Sequence, residues 1–179
     1  YRCHPIPSHG FCKTKKGKQE KITAMDKKAL FPGSFDPFSI GHDSIVRRAL
    51  PLFDKLVIGV GINQGKKGLF PVEKRVEWIK KLYKDIDKVE VTIYEGLTVD
   101  YCNKIGAQYL LRGLRTSADF EFERAIGQTN KKLNKGVETL FLLTDPDHTF
   151  ISSSIIKDIY TNGGDISQFL PEGLIDEIK

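Results

Sequence analysis

Five short apolar segments, separated by stretches of helical periodicity, place the strongest constraint on the fold of this 179-residue chain. The segments are 29–31, 56–60, 89–93, 109–111 and 139–143. The continuous apolar runs at 29–31 and 56–60 are typical of strands that are covered on both faces of a sheet. The connections are too long for hairpins, so each strand should run parallel to its neighbours through right-handed crossovers. The sequence therefore predicts an α/β fold: a single-domain, doubly wound, parallel five-stranded sheet with helices on both faces.

Amphipathic patterns fill the connections between the predicted strands. Apolar residues recur at helical spacing from Ile45 to Phe53, and Pro71 begins a second helix with an apolar stripe. We expect three more helices and a short final one, which cover 97–105, 119–133, 152–160 and the residues after Pro171. The pattern is strand, helix, strand throughout, which leaves no room for a second domain.

The positive charge of the chain is concentrated in its first residues. Residues 1–24 hold six Lys/Arg and one Glu, so this segment alone accounts for the formal net charge of +5. Residues 25–179 carry equal numbers of basic and acidic side chains, which gives no reason to expect nucleic-acid binding by the folded part. We interpret residues 1–24 as an appended or disordered leader and 25–179 as the domain. The alternative is a basic nucleic-acid arm, whose deletion should abolish salt-sensitive binding but spare catalysis.

Cysteine usage and hydropathy indicate the compartment. Cys3 and Cys12 fall in the leader, so Cys102 is the only cysteine of the domain and cannot form an internal disulfide. No apolar stretch approaches the length of a membrane span, so no membrane partner is expected. We therefore expect a cytoplasmic protein.

A glycine-containing turn follows the first predicted strand. Residues 33–42 read Gly-Ser-Phe-Asp-Pro-Phe-Ser-Ile-Gly-His and lead into the first helix. Gly33 and Gly41 would let the backbone approach a ligand closely. The start of the helix offers unpaired N–H groups and a partial positive charge to an anion. The turn is therefore a candidate phosphate site, with His42 where these groups converge.

Other donors follow the remaining predicted strands, and the carboxyl ends of parallel strands meet at one edge of a sheet. The candidates are Ser34, His42, Lys66, Arg112, Arg115 and Ser152 to Ser154. The set contains cations and hydroxyls but no Ser/His/Asp triad and no His/Cys metal cage, so it fits a polyphosphate better than acyl transfer. The two arginines could instead form structural salt bridges with Asp119 and Glu121.

Four motifs closely resemble those of the bacterial phosphopantetheine adenylyltransferase family, which has a Rossmann-like nucleotidyltransferase fold. They are Gly33-Ser34-Phe35-Asp36-Pro37 with Gly41-His42, then Arg112-Gly113-Leu114-Arg115, Asp119-Phe120-Glu121-Phe122-Glu123 and Ile151-Ser152-Ser153-Ser154. The Gly-His pair and the serines alone would indicate only the nucleotidyltransferase superfamily. The arginine and Phe-Glu motifs narrow the resemblance, which covers residues 25–179 without an evident insertion.

The resemblance implies transfer of AMP from ATP to 4'-phosphopantetheine, which yields 3'-dephospho-CoA and pyrophosphate in coenzyme A synthesis. It implies that His42 and Lys66 are catalytic. It places ATP beside Ser34, Phe35, His42, Gly113, Leu114, Arg115, Glu123, His148, Thr149, Phe150, Ile151, Ser152, Ser153 and Ser154. The same likeness places phosphopantetheine beside Ser34, Lys66, Thr98 and Arg112. An Arg guanidinium suits both phosphate roles because it is planar and permanently charged.

The family likeness also implies partners beyond the two substrates. Mg²⁺ should accompany the triphosphate, since the sequence has no dedicated protein cage for it. A homo-oligomer, typically a hexamer, and feedback binding of coenzyme A are expected on the same grounds. Three positions depart from the family pattern: Ser34 and Ser39 stand where threonine is usual, and His148 where an aromatic residue is common.

Two alternatives remain open at this point. One is another nucleotidyltransferase, which would act on nicotinate mononucleotide or glycerol phosphate. The segment from Arg112 to Glu123 argues against it. The other is a non-catalytic module that binds nucleotide or coenzyme A, and the joint presence of His42 and Lys66 argues against that.

Overall fold

A parallel sheet of five strands forms the centre of the domain. The computed structural model describes residues 26–62, 65 and 68–178. The strands are β1 (Lys28–Gly33), β2 (Lys55–Gly61), β3 (Val89–Tyr94), β4 (Tyr109–Leu114) and β5 (Glu138–Leu143). Their order across the sheet is β3-β2-β1-β4-β5, and every neighbouring pair is parallel. The predicted sheet is confirmed.

The order in which the chain adds strands to the sheet reverses at β1. It builds β1, β2 and β3 toward one edge and then crosses back to place β4 on the other side of β1. The gap between the carboxyl ends of β1 and β4 is therefore the topological switch point, where such sheets bind ligands.

The backbone pairing between β1 and β4 stops before Pro32. The pairing of β1 with β4 covers only Ala29 with Tyr109 and Leu30 with Leu110, whereas β1 pairs with β2 along its whole length. Pro32 has no N–H group to donate to a neighbouring strand. Its carbonyl accepts a hydrogen bond at 2.8 Å from Nη1 of the Arg112 side chain. The arginine side chain thus enters where the backbone pairing of β1 and β4 stops.

Five α-helices connect and follow the strands in the described part of the chain. They are α1 (Ile40–Ala49), α2 (Val72–Leu82), α3 (Thr98–Ile105), α4 (Ser117–Leu133) and α5 (Ser153–Thr161). Four short 3₁₀ segments accompany them at Leu50–Leu52, Pro146–His148, Ser167–Phe169 and Glu172–Glu177. The predicted helices are all present, except that the final one is a 3₁₀ segment.

The boundaries shift by a few residues at the carboxyl ends of the strands. The predicted segment 29–31 stops before Pro32 and Gly33, but both residues belong to β1, because the pairing with β2 continues through them. β4 likewise runs through Arg112 to Leu114. α4 begins two residues earlier than predicted, since the Thr116 hydroxyl accepts from the backbone N–H of Asp119 and caps the helix.

Side chains that alternate along the strands fill two separate cores. Ala29 and Phe31 belong to a large cluster with residues of α1, α2 and α5, whereas Leu30 belongs to a smaller cluster with Val99 and Cys102 of α3. The helices therefore cover both faces, as predicted. Burial raises the pKa of the Cys102 thiol to about 11, which agrees with an inert core cysteine.

Two further observations bear on the sequence predictions. None of the helices in the described ranges has both the length and the apolar character needed to span a membrane. The predicted leader, 1–24, lies outside the described residues, so its separation from the domain stays a prediction.

Candidate functional site

Two cavities lie side by side at the carboxyl edge of the sheet. The histidine cavity, of about 360 Å³, lies between β1, β4, α1 and the start of α5, and both His42 and His148 line it. The tyrosine cavity, of about 340 Å³, extends from Tyr94 at the end of β3 and Thr98 of α3 to Asn130 of α4 and Thr139 of β5. The wall between them contains residues 32–34, Arg112 and Glu123, which line both. Their position is the topological switch point of the sheet.

The two cavities divide most of the predicted site residues between them. The predicted ATP residues that line the histidine cavity are Ser34, Phe35, His42, Gly113, Arg115, Glu123, His148, Ile151, Ser152, Ser153 and Ser154. The predicted phosphopantetheine residues that line the tyrosine cavity are Ser34, Thr98 and Arg112. Ser34, Arg112 and Glu123 line both cavities, so among the described residues Thr98 is the predicted acceptor residue that lines the tyrosine cavity alone.

Four predicted residues are not placed in either cavity. Leu114 is buried, Phe150 is 65% exposed, and the Thr149 hydroxyl donates to the Pro146 carbonyl at 2.9 Å. Lys66 lies outside the described residues. The roles of these four stay predictions.

The glycine-containing turn has a tightly constrained backbone. A Cβ on Gly33 would lie 2.8 Å from the Phe35 ring, so the ring itself requires glycine there. Phe35 is buried and has a φ of 45°, in the left-handed region that few non-glycine residues adopt. A Cβ on Gly41 would meet only ordinary contacts, the nearest at 3.7 Å. Gly33 is therefore required by the protein's own packing, while the space at Gly41 remains open to a ligand.

Asp36 fastens this turn to two other parts of the chain. Its buried carboxylate accepts hydrogen bonds from the backbone N–H groups of Leu69 and Phe70 at 2.8 and 2.9 Å. Lys157 of α5 places its Nζ 2.6 Å from the same carboxylate. Burial opposes ionisation of Asp36, but Lys157 and the two N–H groups outweigh burial and lower its pKa. The turn, the segment before α2 and α5 therefore meet at one charged group.

Arg75 of α2 also holds this turn in place. Its side chain is buried, its Nη1 donates to the Ser34 carbonyl, and its Nε donates to the Phe70 carbonyl at 3.1 Å. Its Nε also lies 3.9 Å from the Asp36 carboxylate. These contacts hold the backbone of Ser34 in place. The part of Ser34 that lines the two cavities is therefore fixed before any ligand binds.

His42 is held as a neutral donor at the start of α1. The backbone N–H of Ser39 donates to Nδ1 of His42 at 3.0 Å, so in the neutral ring the proton is on Nε2. The rings of Phe31, Phe35 and Phe38 surround the imidazole, with centroids 5.1 to 6.3 Å away. Burial, and then the positive charges of Arg115 and Arg112, lower the pKa of His42 to about 4. The imidazole is therefore uncharged near neutral pH and can donate through Nε2.

Arg112 stands in the shared wall and is paired with Glu123. Its Nε donates to the Glu123 carboxylate at 2.8 Å, Nη2 donates to the other carboxylate oxygen, and Nη1 donates to Pro32. A guanidinium has five N–H groups, so these bonds to described residues leave two for a ligand. The alternative of structural salt bridges is present in part: Arg115 pairs with Asp119, whereas Arg112 pairs with Glu123 and not with Glu121, which pairs with Arg124. Successive helix residues are 100° apart, and Glu123 is the acid of α4 that faces the sheet.

Arg115 links the end of β4 to the serine run. It donates to the Asp119 carboxylate at 3.0 Å through Nε and to the Ile151 carbonyl at 3.2 Å through Nη1. Ser152 caps α5, since its hydroxyl accepts from the backbone N–H of Ile155 at 3.2 Å. Ser153 and Ser154 form the first turn of α5 and line the histidine cavity beside Arg115. A helix N-terminus, two hydroxyls and a guanidinium thus converge on one part of this cavity, as anion binding requires.

His148 also lines the histidine cavity, beside Gly41. It ends the 3₁₀ segment Pro146–His148, and it is close to Gly41, where an added Cβ would lie 3.8 Å from its own Cβ. Its Nδ1 is buried and has no hydrogen-bond partner among the described residues. No described residue fixes its ring through a hydrogen bond to Nδ1, so the structure gives no support to a second catalytic histidine.

Several residues that shape the site escaped the sequence analysis. Asp36 belongs to a motif that was recognised, but its buried position between three segments was not foreseen. Arg75 and Lys157 lie at ordinary surface-helix spacings and gave no signal. Tyr94 closes β3 beside the tyrosine cavity, and only its place at a strand end could have indicated it.

The fold and the donors at its switch point define a nucleotidyltransferase, and residues 30–159 match the family model described as cytidylyltransferase-like. The chain is 53% identical to the phosphopantetheine adenylyltransferase of Flavobacterium psychrophilum over 148 residues, which cover 83% of this chain and 97% of that one. It is 49% identical to the protein of the same name from Bacteroides thetaiotaomicron, with the same coverage. The chain therefore belongs to the phosphopantetheine adenylyltransferase family.

A solved structure supports the fold assignment. The crystal structure of a Vibrio parahaemolyticus protein, provisionally assigned as a nicotinate-nucleotide adenylyltransferase, superposes with a TM-score of 0.63. The superposition covers 83% of this chain and 96% of that chain at 22% sequence identity. At this identity the likeness concerns the fold and does not bear on the acceptor.

Proposed function

We propose that this protein transfers AMP from ATP to 4'-phosphopantetheine, giving 3'-dephospho-CoA and pyrophosphate in coenzyme A synthesis. The observation that carries the proposal is the pair of adjoining cavities with Ser34 and Arg112 in their common wall. One cavity offers cations, hydroxyls and a helix N-terminus to a triphosphate. The other offers a space with a mostly neutral lining to an acceptor arm. A phosphate of each substrate can therefore approach the other at the wall.

The reaction needs alignment more than proton transfer. An oxygen of the acceptor phosphate attacks the α-phosphorus of ATP, and the bond from that phosphorus to the bridging oxygen of pyrophosphate breaks. The acceptor phosphate is already ionised near neutral pH, so no general base is required. Negative charge builds on the α-phosphate oxygens in the transition state. The Nε2–H of neutral His42 is suited to donate to those oxygens without adding a titrating charge.

The cations of the site divide between the two substrates. Arg112 is proposed to bind the acceptor phosphate with the N–H groups that Glu123 and Pro32 leave unused. Arg115, Ser153 and Ser154, with the N-terminus of α5, are proposed to bind the β- and γ-phosphates. Lys66 is proposed from the family pattern to neutralise phosphate oxygens.

The remaining nucleotide contacts are proposals of the same kind. Phe35, Gly113, Leu114 and the segment 148–151 would surround the nucleoside. Glu123 would lie beside it and at the same time hold the Arg112 guanidinium in the orientation that the acceptor needs.

Magnesium enters this proposal as part of the substrate MgATP. The carboxylates that line the histidine cavity, Asp119 and Glu123, are already paired with Arg115 and Arg112. Among the described residues no group of three His, Cys, Asp or Glu could hold a metal ion. These side chains do not fit a resident cation, so the metal would be bound by phosphate oxygens.

An exposed apolar surface supports the proposed homo-oligomer. Along α4, Phe122 is 69% and Leu133 is 61% exposed, and Leu143 at the end of β5 is 70% exposed. Phe122 also lines the histidine cavity, so Leu133 and Leu143 are the proposed contact residues, because a second copy would remove their apolar surface from water. The hexameric state, feedback binding of coenzyme A and a cytoplasmic location are carried over from the family likeness as proposals.

The test is pyrophosphate release by protein that lacks residues 1–24, with MgATP and three separate acceptors. We expect release with 4'-phosphopantetheine only, and none with nicotinate mononucleotide or dephosphorylated pantetheine. Turnover of nicotinate mononucleotide would move the protein to another nucleotidyltransferase. Silence with every acceptor, despite ATP binding, would indicate a non-catalytic module.

A further inference from the structure

The tyrosine cavity has a wall built from two hydroxyls. Tyr94 ends β3 and Thr98 begins α3, and both line the cavity. Tyr94 Oη and Thr98 Oγ1 are 3.1 Å apart, which is a hydrogen bond in which either oxygen can donate. The family likeness assigns a ligand contact to Thr98 but nothing to Tyr94.

Tyr94 is fixed by its surroundings on β2 and α3. Its ring stacks on that of Tyr101, with centroids 5.0 Å apart and an angle of 22° between the planes. A Cβ on Gly59 would lie 3.1 Å from a ring carbon of Tyr94, and one on Gly61 would lie 3.3 Å from its hydroxyl. The ring therefore lies flat over β2, in a space that two glycines leave open.

Tyr101 is anchored in turn, but outside the cavity. Its hydroxyl is 3.0 Å from Thr92 Oγ1, the same kind of contact that Tyr94 makes with Thr98. Tyr101 does not line the tyrosine cavity. The stacked pair thus contains two similar hydroxyl contacts, of which only one faces the acceptor space.

The chemistry of the cavity changes along its length. Arg112 and Glu123 are its charged lining residues within the described ranges, and they lie in the shared wall. Away from them the lining consists of neutral groups that include Ile62, Leu110, Ile126 and Asn130, together with Tyr94 and Thr98. A neutral arm that carries amides fits this end. Two hydroxyls that share one hydrogen bond keep one donor and free lone pairs for an amide.

Thr98 needs a partner to hold its hydroxyl toward the cavity. The residue at the N-cap of α3, Leu97, has no side chain that could cap the helix. The N–H of Asp100 donates to the Leu97 carbonyl at 3.1 Å, and a threonine hydroxyl at the start of a helix can otherwise turn toward nearby backbone groups. The phenol of Tyr94 gives the Thr98 hydroxyl a fixed alternative.

We propose that Tyr94 is a positioning residue that holds the Thr98 hydroxyl toward an amide of the acceptor arm and thereby sets the affinity for the acceptor. This inference rests on the proposed function. Tyr94 acts through Thr98 and does not contact the reacting phosphates. Its substitution should therefore change the KM for the acceptor, while kcat and the KM for ATP stay the same.

The experiment compares Tyr94→Phe with Tyr101→Phe by pyrophosphate release at varied 4'-phosphopantetheine and varied MgATP. Loss of one neutral hydrogen bond should raise the acceptor KM about 5-fold in Tyr94→Phe, with kcat and the KM for ATP unchanged. Tyr101→Phe loses a matching hydroxyl contact in the same stack and should keep the wild-type acceptor KM.

A second pair of variants tests the route through Thr98. Thr98→Val should raise the acceptor KM at least as much as Tyr94→Phe, since it removes the hydroxyl that contacts the amide itself. Adding Tyr94→Phe to Thr98→Val should cause no further change.

Several results would overturn the inference. They are an unchanged acceptor KM in Tyr94→Phe, an equal rise in Tyr94→Phe and Tyr101→Phe, or additive effects in the double variant. Each is read only against an active wild-type enzyme, because an inactive wild type contradicts the proposed function instead.

Discussion

The histidine cavity and the tyrosine cavity share a wall of residues 32–34, Arg112 and Glu123, yet beyond this wall they are lined by different kinds of side chains. The first gathers His42, Arg115, the serines 152–154 and the N-terminus of α5. The second gathers glycines, aliphatic side chains and neutral donors such as Tyr94 and Asn130. The lining of the histidine cavity suits phosphates that react, and the lining of the tyrosine cavity suits the binding of an extended acceptor.

The contrast separates chemistry from recognition within one small site. Side chains that stabilise developing charge should mainly change kcat, whereas those that hold a ligand in both ground and transition state should mainly change KM. Substitutions on either side of the wall can therefore test whether the two cavities really divide the work.

The largest effect is expected from His42→Ala. Loss of a donor that strengthens in the transition state should lower kcat about 100-fold to 1000-fold, with little change in either KM. Steady-state pyrophosphate release with each substrate varied will measure this.

His148→Ala is the matched control, because it removes a histidine from the same cavity. It should mainly raise the KM for ATP. An unchanged kcat in His42→Ala, or an equal loss of kcat in both variants, would contradict the catalytic role of His42.

An intermediate effect is expected from Arg112→Ala. Charge-assisted hydrogen bonds contribute about 1.5–3 kcal/mol, so the KM for 4'-phosphopantetheine should rise roughly 10-fold to 100-fold. The KM for ATP should change much less. Initial rates over a grid of both substrates will give the two values.

Arg115→Ala should reverse this pattern, raising the KM for ATP more than that for the acceptor. Both arginines pair with a carboxylate of α4, so the two variants disturb the helix in a similar way. Equal losses for both substrates in both variants would break the assignment of one cavity to each.

The smallest effect concerns protons. Because burial lowers the pKa of His42 to about 4, the imidazole should not titrate between pH 6 and 8. An unfolded histidine binds its proton near pH 6.5, so the unfolded chain gains this proton before the folded one. The free energy of unfolding should therefore fall as pH drops from 6.5 toward 4, and it should be insensitive to His42 above that window.

NMR of the imidazole nitrogens provides the measurement, with His42→Gln to assign the signal. The Nε2-protonated tautomer should persist down to about pH 5. A transition near pH 6.5 would contradict the lowered pKa of His42 and would mean that a fraction of the rings is charged near neutral pH, which would weaken the distinction between a neutral donor and the cationic arginines.

The fold was largely predictable because buried parallel strands leave continuous apolar runs. The error at Pro32 shows the limit of that signal. Proline removes one donor, and whether this ends a strand depends on which neighbour the donor would have faced. In β1 the missing donor faces β4, so the pairing with β2 continues.

The histidine cavity was more predictable than the tyrosine cavity for a related reason. Phosphate chemistry uses glycine, arginine and serine in short motifs, which are visible in a linear sequence. Tyr94 has a role only because Gly59, Gly61 and Tyr101 surround it in space. The sequence did not show that Glu123, and not Glu121, pairs with Arg112. The choice between these two acids depends on which one faces the sheet.

The junction at Asp36 has a consequence for how the site opens. Segments beside a ligand cavity often unfold locally, and their amides then exchange hydrogen with solvent quickly. The amides of Leu69 and Phe70 donate to a buried carboxylate that also holds Lys157 of α5. They can exchange only when this junction separates, so the turn, the segment before α2 and α5 should open together as one cooperative unit.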